Sequence, residues 1–124
     1  MTVQTSAALD LEALTRGYAE WDLPALLGLY AEDVEIVQVD RDHPPSAPRI
    51  RSGRSIVEGM LTHCAAAGVR ATVTNAVADG DRAAATVTCE FPGGRRVQAN
   101  CIFEIRDGRI VREHDVVVGD QAAS

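Results

Sequence analysis

The sequence contains no lysine. All twelve of its basic residues are arginines, against eighteen acidic residues and a formal net charge of −6. Because nucleic-acid-binding domains need clustered positive charge to contact phosphates, this balance argues against a nucleic-acid partner. Aromatic residues make up only 4% of the chain, which indicates an interior built mainly from aliphatic side chains.

Long apolar runs are also missing. None approaches the roughly 20 residues that a membrane-spanning helix requires, so we expect no membrane partner. Residues 1–6 lack the basic segment and the apolar stretch of a secretory signal, which predicts a cytoplasmic location. A chain of 124 residues is long enough to bury one hydrophobic core, so we expect one domain over residues 1–124, with its core at about 9–118.

Cysteine is scarce and unpaired in pattern. The chain has three cysteines, Cys64, Cys89 and Cys101, which lie in apolar stretches and never form a Cys-x-x-Cys spacing. An odd number of separated, apolar cysteines is typical of reduced core residues rather than of a disulfide framework or a zinc site. We therefore expect neither a metal nor another cofactor.

The first third of the chain predicts two helices and a strand. Asp10 is placed to cap a first helix, whose apolar stripe at helical spacing consists of Leu11, Leu14, Tyr18 and Trp21. Asp22 is placed to cap a second helix, whose apolar face consists of Leu23, Leu26, Leu27 and Tyr30. Residues 34–39 then predict a short strand in which Ile36 and Gln38 share a face.

Prolines at positions 44, 45 and 48 predict an irregular loop over residues 40–50, because each removes a backbone donor and restricts its predecessor. Ser55 is placed to cap a third helix that runs to about residue 67. The buried side of this helix is expected to consist of Ile56, Val57, Met60, Leu61 and Cys64.

The rest of the chain predicts four antiparallel strands at 69–78, 82–91, 96–105 and 109–118, joined by tight turns such as Asp107-Gly108. Helices followed by a strand meander indicate an α+β fold in which the sheet buries one face against the helices. Since side chains alternate along a strand, the last strand divides into two faces. One face carries Val111, Glu113, Asp115 and Val117, and the other carries Arg112, His114 and Val116.

The face with two carboxylates is the strongest candidate for chemistry. If it lines an apolar pocket, desolvation would raise the pKa of Asp115, and Glu113, about 7 Å away, would raise it further by like-charge repulsion. A carboxylate tuned in this way is a usable general base near neutral pH. The alternative is that both acids are solvated at a splayed strand end, or that Asp115 pairs with an arginine.

Several segments of the chain resemble a known superfamily. They are Asp22-Leu23, Leu29-Tyr30-Ala31-Glu32-Asp33, Arg51-Ser52-Gly53 and Asp107-Gly108-Arg109-Ile110-Val111. In these segments and in its layout the chain resembles the nuclear transport factor 2-like superfamily, and within it the SnoaL-like polyketide cyclases and ketosteroid isomerases. The resemblance implies a cone-shaped, curved antiparallel or mixed sheet wrapped around three N-terminal helices, an apolar pocket, and a homodimer formed through the outer face of the sheet.

The resemblance also implies site residues. Asp115 matches the late-strand general base of the SnoaL-like cyclases. A small apolar or aromatic ligand would then contact Tyr18, Gln38, Met60, Leu61, Cys101, Phe103, Glu113 and Val117. The helix faces themselves add Trp21, which shares a stripe with Tyr18, and His63 at the edge of the buried side of the third helix. The three catalytic positions of the ketosteroid isomerases fall on Gln38, Leu14 and Cys101, none of which can replace the original group.

These features are consistent with three functions. The first is general-base proton transfer of the cyclase or isomerase type on an apolar carbonyl or polyketide-like substrate. The second is a non-catalytic ligand-binding or dimerisation module of the same fold. The third is epoxide hydrolysis, which ranks last because the sequence indicates no second aspartate and no inward arginine beside Asp115.

Overall fold

A computed structural model of the chain describes residues 7–121, so the expected absence of a signal at residues 1–6 lies outside the described part. This part of the chain contains three helices: α1 (Leu11–Glu20), α2 (Leu23–Leu27) and α3 (Arg54–Ala66). The same described residues contain six strands: β1 (Tyr30–Val39), β2 (Arg49–Ser52), β3 (Arg70–Asp79), β4 (Arg82–Glu90), β5 (Arg96–Arg106) and β6 (Arg109–Gly119). The predicted α+β class is confirmed. Among the described residues, no helix has the length and apolar character needed to cross a membrane.

The six strands form one open, mixed sheet in the order β2-β1-β6-β5-β4-β3. Only β1 and β6 run parallel to each other. The helices cover one face, which we call the inner face, and the core between them contains the fully buried Leu14, Leu26, Ile36, Phe103 and Ile110. Because β6 is an interior strand of the sheet, its inward side chains lie well away from both sheet edges.

The second helix is shorter than the sequence predicts, and Tyr30 is not on it. The helix ends at Leu27, and Tyr30 is the first residue of β1, where it is aligned with Ile110 of β6. The backbone N–H of Ile110 donates to the carbonyl of Leu29 at 2.7 Å. Pairing with a distant strand thus overrides the helical apolar pattern, and it moves Tyr30 into the core.

The loop predicted over residues 40–50 is also shorter than expected. The last proline of this loop is Pro48, and β2 begins immediately after it. This strand pairs antiparallel with β1, so that Arg49 lies opposite Gln38. The α3 helix begins at Arg54 after Gly53, whose φ of +102° suits glycine. The prediction that Ser55 caps this helix is wrong, because no side chain caps it.

The contact between α1 and α2 depends on Gly17. A Cβ at this position would lie 2.7 Å from Cγ and Cδ2 of Leu26, whose side chain is fully buried. We expect Gly17→Ala to lower the free energy of unfolding by about 1–2 kcal/mol, because overpacking outweighs the helix propensity of alanine. Gly59 in α3 is the matched control: nothing lies within 4 Å of a Cβ there. Gly59→Ala should be stabilising by about 0.5–1 kcal/mol. Equal stabilisation of both variants in chemical denaturation would contradict this account.

Candidate functional site

The two acids of β6 lie side by side in the core. Glu113 and Asp115 are each only 6% exposed, which confirms the predicted inner face of this strand. Asp115 is aligned with Cys101 of β5 on one side and with Gln38 of β1 on the other. The alternation of β6 and the pairing of β1 with it therefore place two ionisable groups among apolar side chains.

Glu113 is fixed by a tyrosine. The hydroxyl of Tyr30 donates to Oε1 of Glu113 at 2.6 Å. Burial raises the pKa of Glu113 well above its ordinary value, and the negative charge of Asp115 raises it further, whereas the Tyr30 hydrogen bond opposes the rise. Burial and the neighbouring charge therefore favour the protonated form of Glu113 despite the Tyr30 hydrogen bond.

Asp115 is buried, and one of its carboxylate oxygens is unpaired. Its Oδ1 is buried and has no hydrogen-bond partner among the described residues. Burial raises the pKa of Asp115, as expected, while contacts with Glu113 and Cys101 lower it. The expectation that Glu113 raises the pKa of Asp115 is wrong, because a hydrogen bond with Glu113 lowers it. One carboxyl oxygen of Glu113, one of Asp115 and the sulfur of Cys101 lie within 4.8 Å of one another.

Cys101, Glu113 and Asp115 are spaced like metal ligands. A thiol and a carboxyl must release their protons to bind a metal ion. Here burial, followed by the charges of Asp115 and Glu113, raises the pKa of the Cys101 thiol, and its Sγ lies 3.9 Å from the carbonyl oxygen of Ala99. The pKa of Glu113 is raised as well, so a metal ion at this position would have to displace the protons of two buried groups.

Tyr18 and Trp21 form an edge-to-face pair, with ring centroids 5.9 Å apart. Burial, and then the charges of Glu113, Cys101 and Asp115, raise the pKa of Tyr18 well above 10.0, so its hydroxyl lies near the acid pair. Within residues 7–121 this hydroxyl makes no hydrogen bond. Trp21 differs, because its Nε1–H already donates to the carbonyl of Val69 at 2.7 Å.

Gln38, which is aligned with Asp115, forms hydrogen bonds with a turn residue and with an arginine. Its amide nitrogen donates to Oδ2 of Asp40 at 2.6 Å, and its amide oxygen accepts from Nη2 of Arg51 at 3.4 Å. The bond from Gln38 and a second from His43 lower the pKa of Asp40 to about 2. Arg51 shares the inner face through its alignment with Ile36. The sequence interpretation without an inward arginine is thus wrong, because it placed β2 partly in a loop and so lost its alternation.

The SnoaL-like domain family matches residues 11–113. The chain belongs to the SnoaL-like family. No curated protein matches the sequence.

Solved structures of SnoaL-like and related proteins share the fold. One is a nuclear transport factor 2-like protein of unknown function from Mesorhizobium loti (24% identity, TM-score 0.72, covering 88% of each chain). Another is described as a candidate ketosteroid isomerase from Kribbella flavida (22% identity, TM-score 0.68, covering 92% of this chain and 77% of that one). A third is IdmH, described as a candidate polyketide cyclase from Streptomyces antibioticus (28% identity, TM-score 0.60, covering 89% and 88%).

The remaining predicted site residues of this SnoaL-like chain lie in different places. Leu61 and Phe103 are buried in the core, whereas Met60 is half-buried on α3. His63 is exposed on α3 and does not join the buried cluster. Val117 lines a cleft of about 870 Å³ beside the C-terminal ends of β1 and β6, and it is the one predicted site residue there.

Tyr30 is the site residue that the sequence assigned to the wrong element. Val34, Ile36 and Gln38 alternate at even positions, but the exposed Glu32 interrupts that pattern before Tyr30, so the sequence carried only a weak signal that the strand begins there. We expect Tyr30→Phe in this SnoaL-like chain to lower the free energy of unfolding by about 1–3 kcal/mol, because a buried carboxyl oxygen loses its donor. The pKa of Glu113 should rise further. Tyr18→Phe is the control with no hydrogen bond to lose; equal losses in denaturation would contradict the role of Tyr30.

Proposed function

We propose that this SnoaL-like protein catalyses general-base proton transfer at a carbon next to a carbonyl group, in a small apolar or polyketide-like substrate. Asp115 is the base. The observation that carries the proposal is Oδ1 of Asp115, which is buried and has no hydrogen-bond partner among the described residues. An unsatisfied buried carboxylate oxygen is costly, and a ligand proton would satisfy it.

The acid pair divides the work between its members. Glu113, held by Tyr30 and raised in pKa, keeps its proton, which leaves Asp115 as the group that can accept one. Asp115 takes the proton from carbon, and the electrons of the C–H bond move onto the carbonyl oxygen. Return of the proton to another atom completes an isomerisation, whereas attack of the enolate on a second carbonyl completes a cyclisation.

A non-catalytic ligand-binding module is the second candidate. It is favoured by Gln38 and Trp21, whose polar groups are already bonded within the protein and so are less free to orient a substrate. Epoxide hydrolysis gains an inward Arg51 but not a second free aspartate, since Asp40 is bonded to Gln38 and His43.

The two candidates differ in turnover. The protein would be incubated in D₂O with carbonyl compounds of graded C–H acidity, and deuterium incorporation next to the carbonyl would be followed by NMR. Proton transfer predicts exchange above the buffer rate for the compounds that bind. Binding seen as chemical-shift changes, with exchange at the buffer rate, would reject catalysis in favour of the binding module.

We also propose that two copies pair through the outer face of the sheet. One row of register partners crosses all six strands there: Ile50, Val37, His114, Ile102, Ala84 and Val77. Ile50, Ile102 and Val77 are more than half exposed, so a second copy would bury an apolar stripe. Sedimentation should give a dimer that Ile102→Asp converts to a monomer; a monomeric parent chain would overturn the pairing.

A further inference from the structure

Two buried side-chain atoms in residues 7–121 have no hydrogen-bond partner: Nε of Arg51 and Oδ1 of Asp115. They are complementary, because the first can only donate and the second, on an ionised carboxylate, can only accept. Buried polar atoms are nearly always paired in folded proteins, and an unpaired one calls for a ligand, a water or a functional reason. An unpaired donor and an unpaired acceptor in one site point to a molecule that offers both an acceptor and a proton.

The two residues belong to one site. Arg51 on β2 is aligned with Ile36, Gln38 follows two residues later on β1, and Gln38 is aligned with Asp115 on β6. All four side chains therefore share the inner face. Burial lowers the pKa of Arg51 and raises that of Asp115, and the opposite charge of each residue partly offsets the shift of the other. Yet Arg51 forms no ion pair with any carboxylate of the described residues.

Arg51 is held in place by its other end. Its Nη2 donates to Gln38, and Gln38 donates in turn to Asp40, whose carboxylate also accepts the backbone N–H groups of Asp42 and His43. This chain of contacts anchors the guanidinium through one nitrogen and leaves Nε free. A fixed, partly desolvated donor is the arrangement that stabilises developing negative charge most effectively.

We propose that Arg51 binds the oxygen that becomes negatively charged when Asp115 removes a proton, and that the substrate is a carbonyl compound with an acidic adjacent C–H bond, of the 1,3-dicarbonyl class. The inference rests on the proposed proton transfer. The C–H bond breaks, the proton goes to Oδ1 of Asp115, and the electron pair becomes the enolate whose oxygen accepts the Nε–H of Arg51. The site keeps its net charge, because Asp115 becomes neutral as the substrate becomes anionic.

The test separates Arg51 from the proton transfer by using Asp115→Asn as the parent chain. Asparagine resembles the protonated acid and cannot accept a proton, so affinity for a preformed enolate reports on Arg51 without turnover. The probe is benzoylacetone, titrated by its ultraviolet absorbance at a pH where it is ionised. Butyrophenone, which stays neutral, serves as the comparison probe. Arg51→Gln and Arg51→Lys are added to the parent chain, and Arg49→Gln is the control because Arg49 is exposed on the same strand.

Adding Arg51→Gln should weaken enolate binding about tenfold or more, the size expected for a lost charge-assisted hydrogen bond. Arg51→Lys should recover part of the enolate affinity, while Arg49→Gln should change it less than about twofold. The affinity for the neutral butyrophenone should also change less than about twofold with Arg51→Gln or Arg49→Gln. Enolate binding that is absent, or that falls equally with Arg49→Gln, overturns the role of Arg51. If Arg51→Gln does not fold, the enolate affinity of Arg51→Lys decides the role of Arg51, provided that the thermal stability of that variant is normal. If the unaltered chain shows no deuterium exchange but enolate binding still depends on Arg51, then the proposed proton transfer is rejected while the role of Arg51 as an anion-binding residue stands.

Discussion

Replacing Asp115 with asparagine should lower the rate of carbon-proton exchange by about 10²- to 10⁴-fold, the usual contribution of a positioned general base. Asparagine has nearly the shape of aspartate but cannot take up a proton, so the loss should appear in turnover and not in ligand affinity. Deuterium incorporation measured by NMR, with affinity measured in the same samples, separates the two effects.

The control for this substitution is Asp33→Asn, because Asp33 is an exposed acid on β1. It removes the same charge without entering the core, and its rate should match that of the unaltered chain. If Asp115→Asn retained the exchange rate in a chain that unfolds at the normal temperature, Asp115 would be a structural residue.

Replacing Glu113 should change how stability depends on pH. The unfolded chain releases this proton near the ordinary value of 4.5, whereas the folded chain keeps it to a much higher pH. Above pH 4.5 the folded state therefore binds more protons than the unfolded state, and the free energy of unfolding falls as pH rises through the folded pKa. Glu113→Gln, which stays neutral and can still accept from Tyr30, should make this part of the profile flatter.

A smaller residue at the same position tests packing. Glu113→Ala leaves a void and strips the Tyr30 hydroxyl of its acceptor, so we expect a loss of about 2–5 kcal/mol in the free energy of unfolding. Urea denaturation at several pH values measures both substitutions. A profile for Glu113→Gln that kept the full slope of the unaltered chain would show that another group causes it.

The local features of the site were predictable from the sequence. Asp107-Gly108 marks the turn before the last strand, and the two-residue spacing of Glu113 and Asp115 assigns them to the same face. A register shift near the start of the strand breaks the alternation closer to the turn, where Ile110 is also buried. The burial of Glu113 and Asp115 follows because their face is otherwise apolar. The direction of the pKa shift of Asp115 follows from burial alone, which needs no knowledge of partners.

The partners of the acid pair were not predictable in the same way. Tyr30 contacts Glu113 across 83 positions of sequence, through a parallel pairing that an apolar helical pattern had concealed. Arg51 lies on a four-residue strand directly after a proline-rich segment, too short to show alternation. Trp21 is a residue type that often contacts ligands, but its N–H donates a hydrogen bond to the carbonyl of Val69. Each of these contacts depends on which segments, distant in sequence, are neighbours in the folded chain.

The most direct test of the account is the titration of Asp115 and Glu113 by carboxyl-carbon NMR, with Asp115→Asn and Glu113→Gln used to assign the two signals. The account predicts that both groups titrate above their ordinary values of 3.8 and 4.5, that Glu113 holds its proton to the higher pH, and that Tyr30→Phe raises Glu113 further. An Asp115 that titrates at or below 3.8 would be a solvated or ion-paired carboxylate, and it would contradict the assignment of Asp115 as the buried general base.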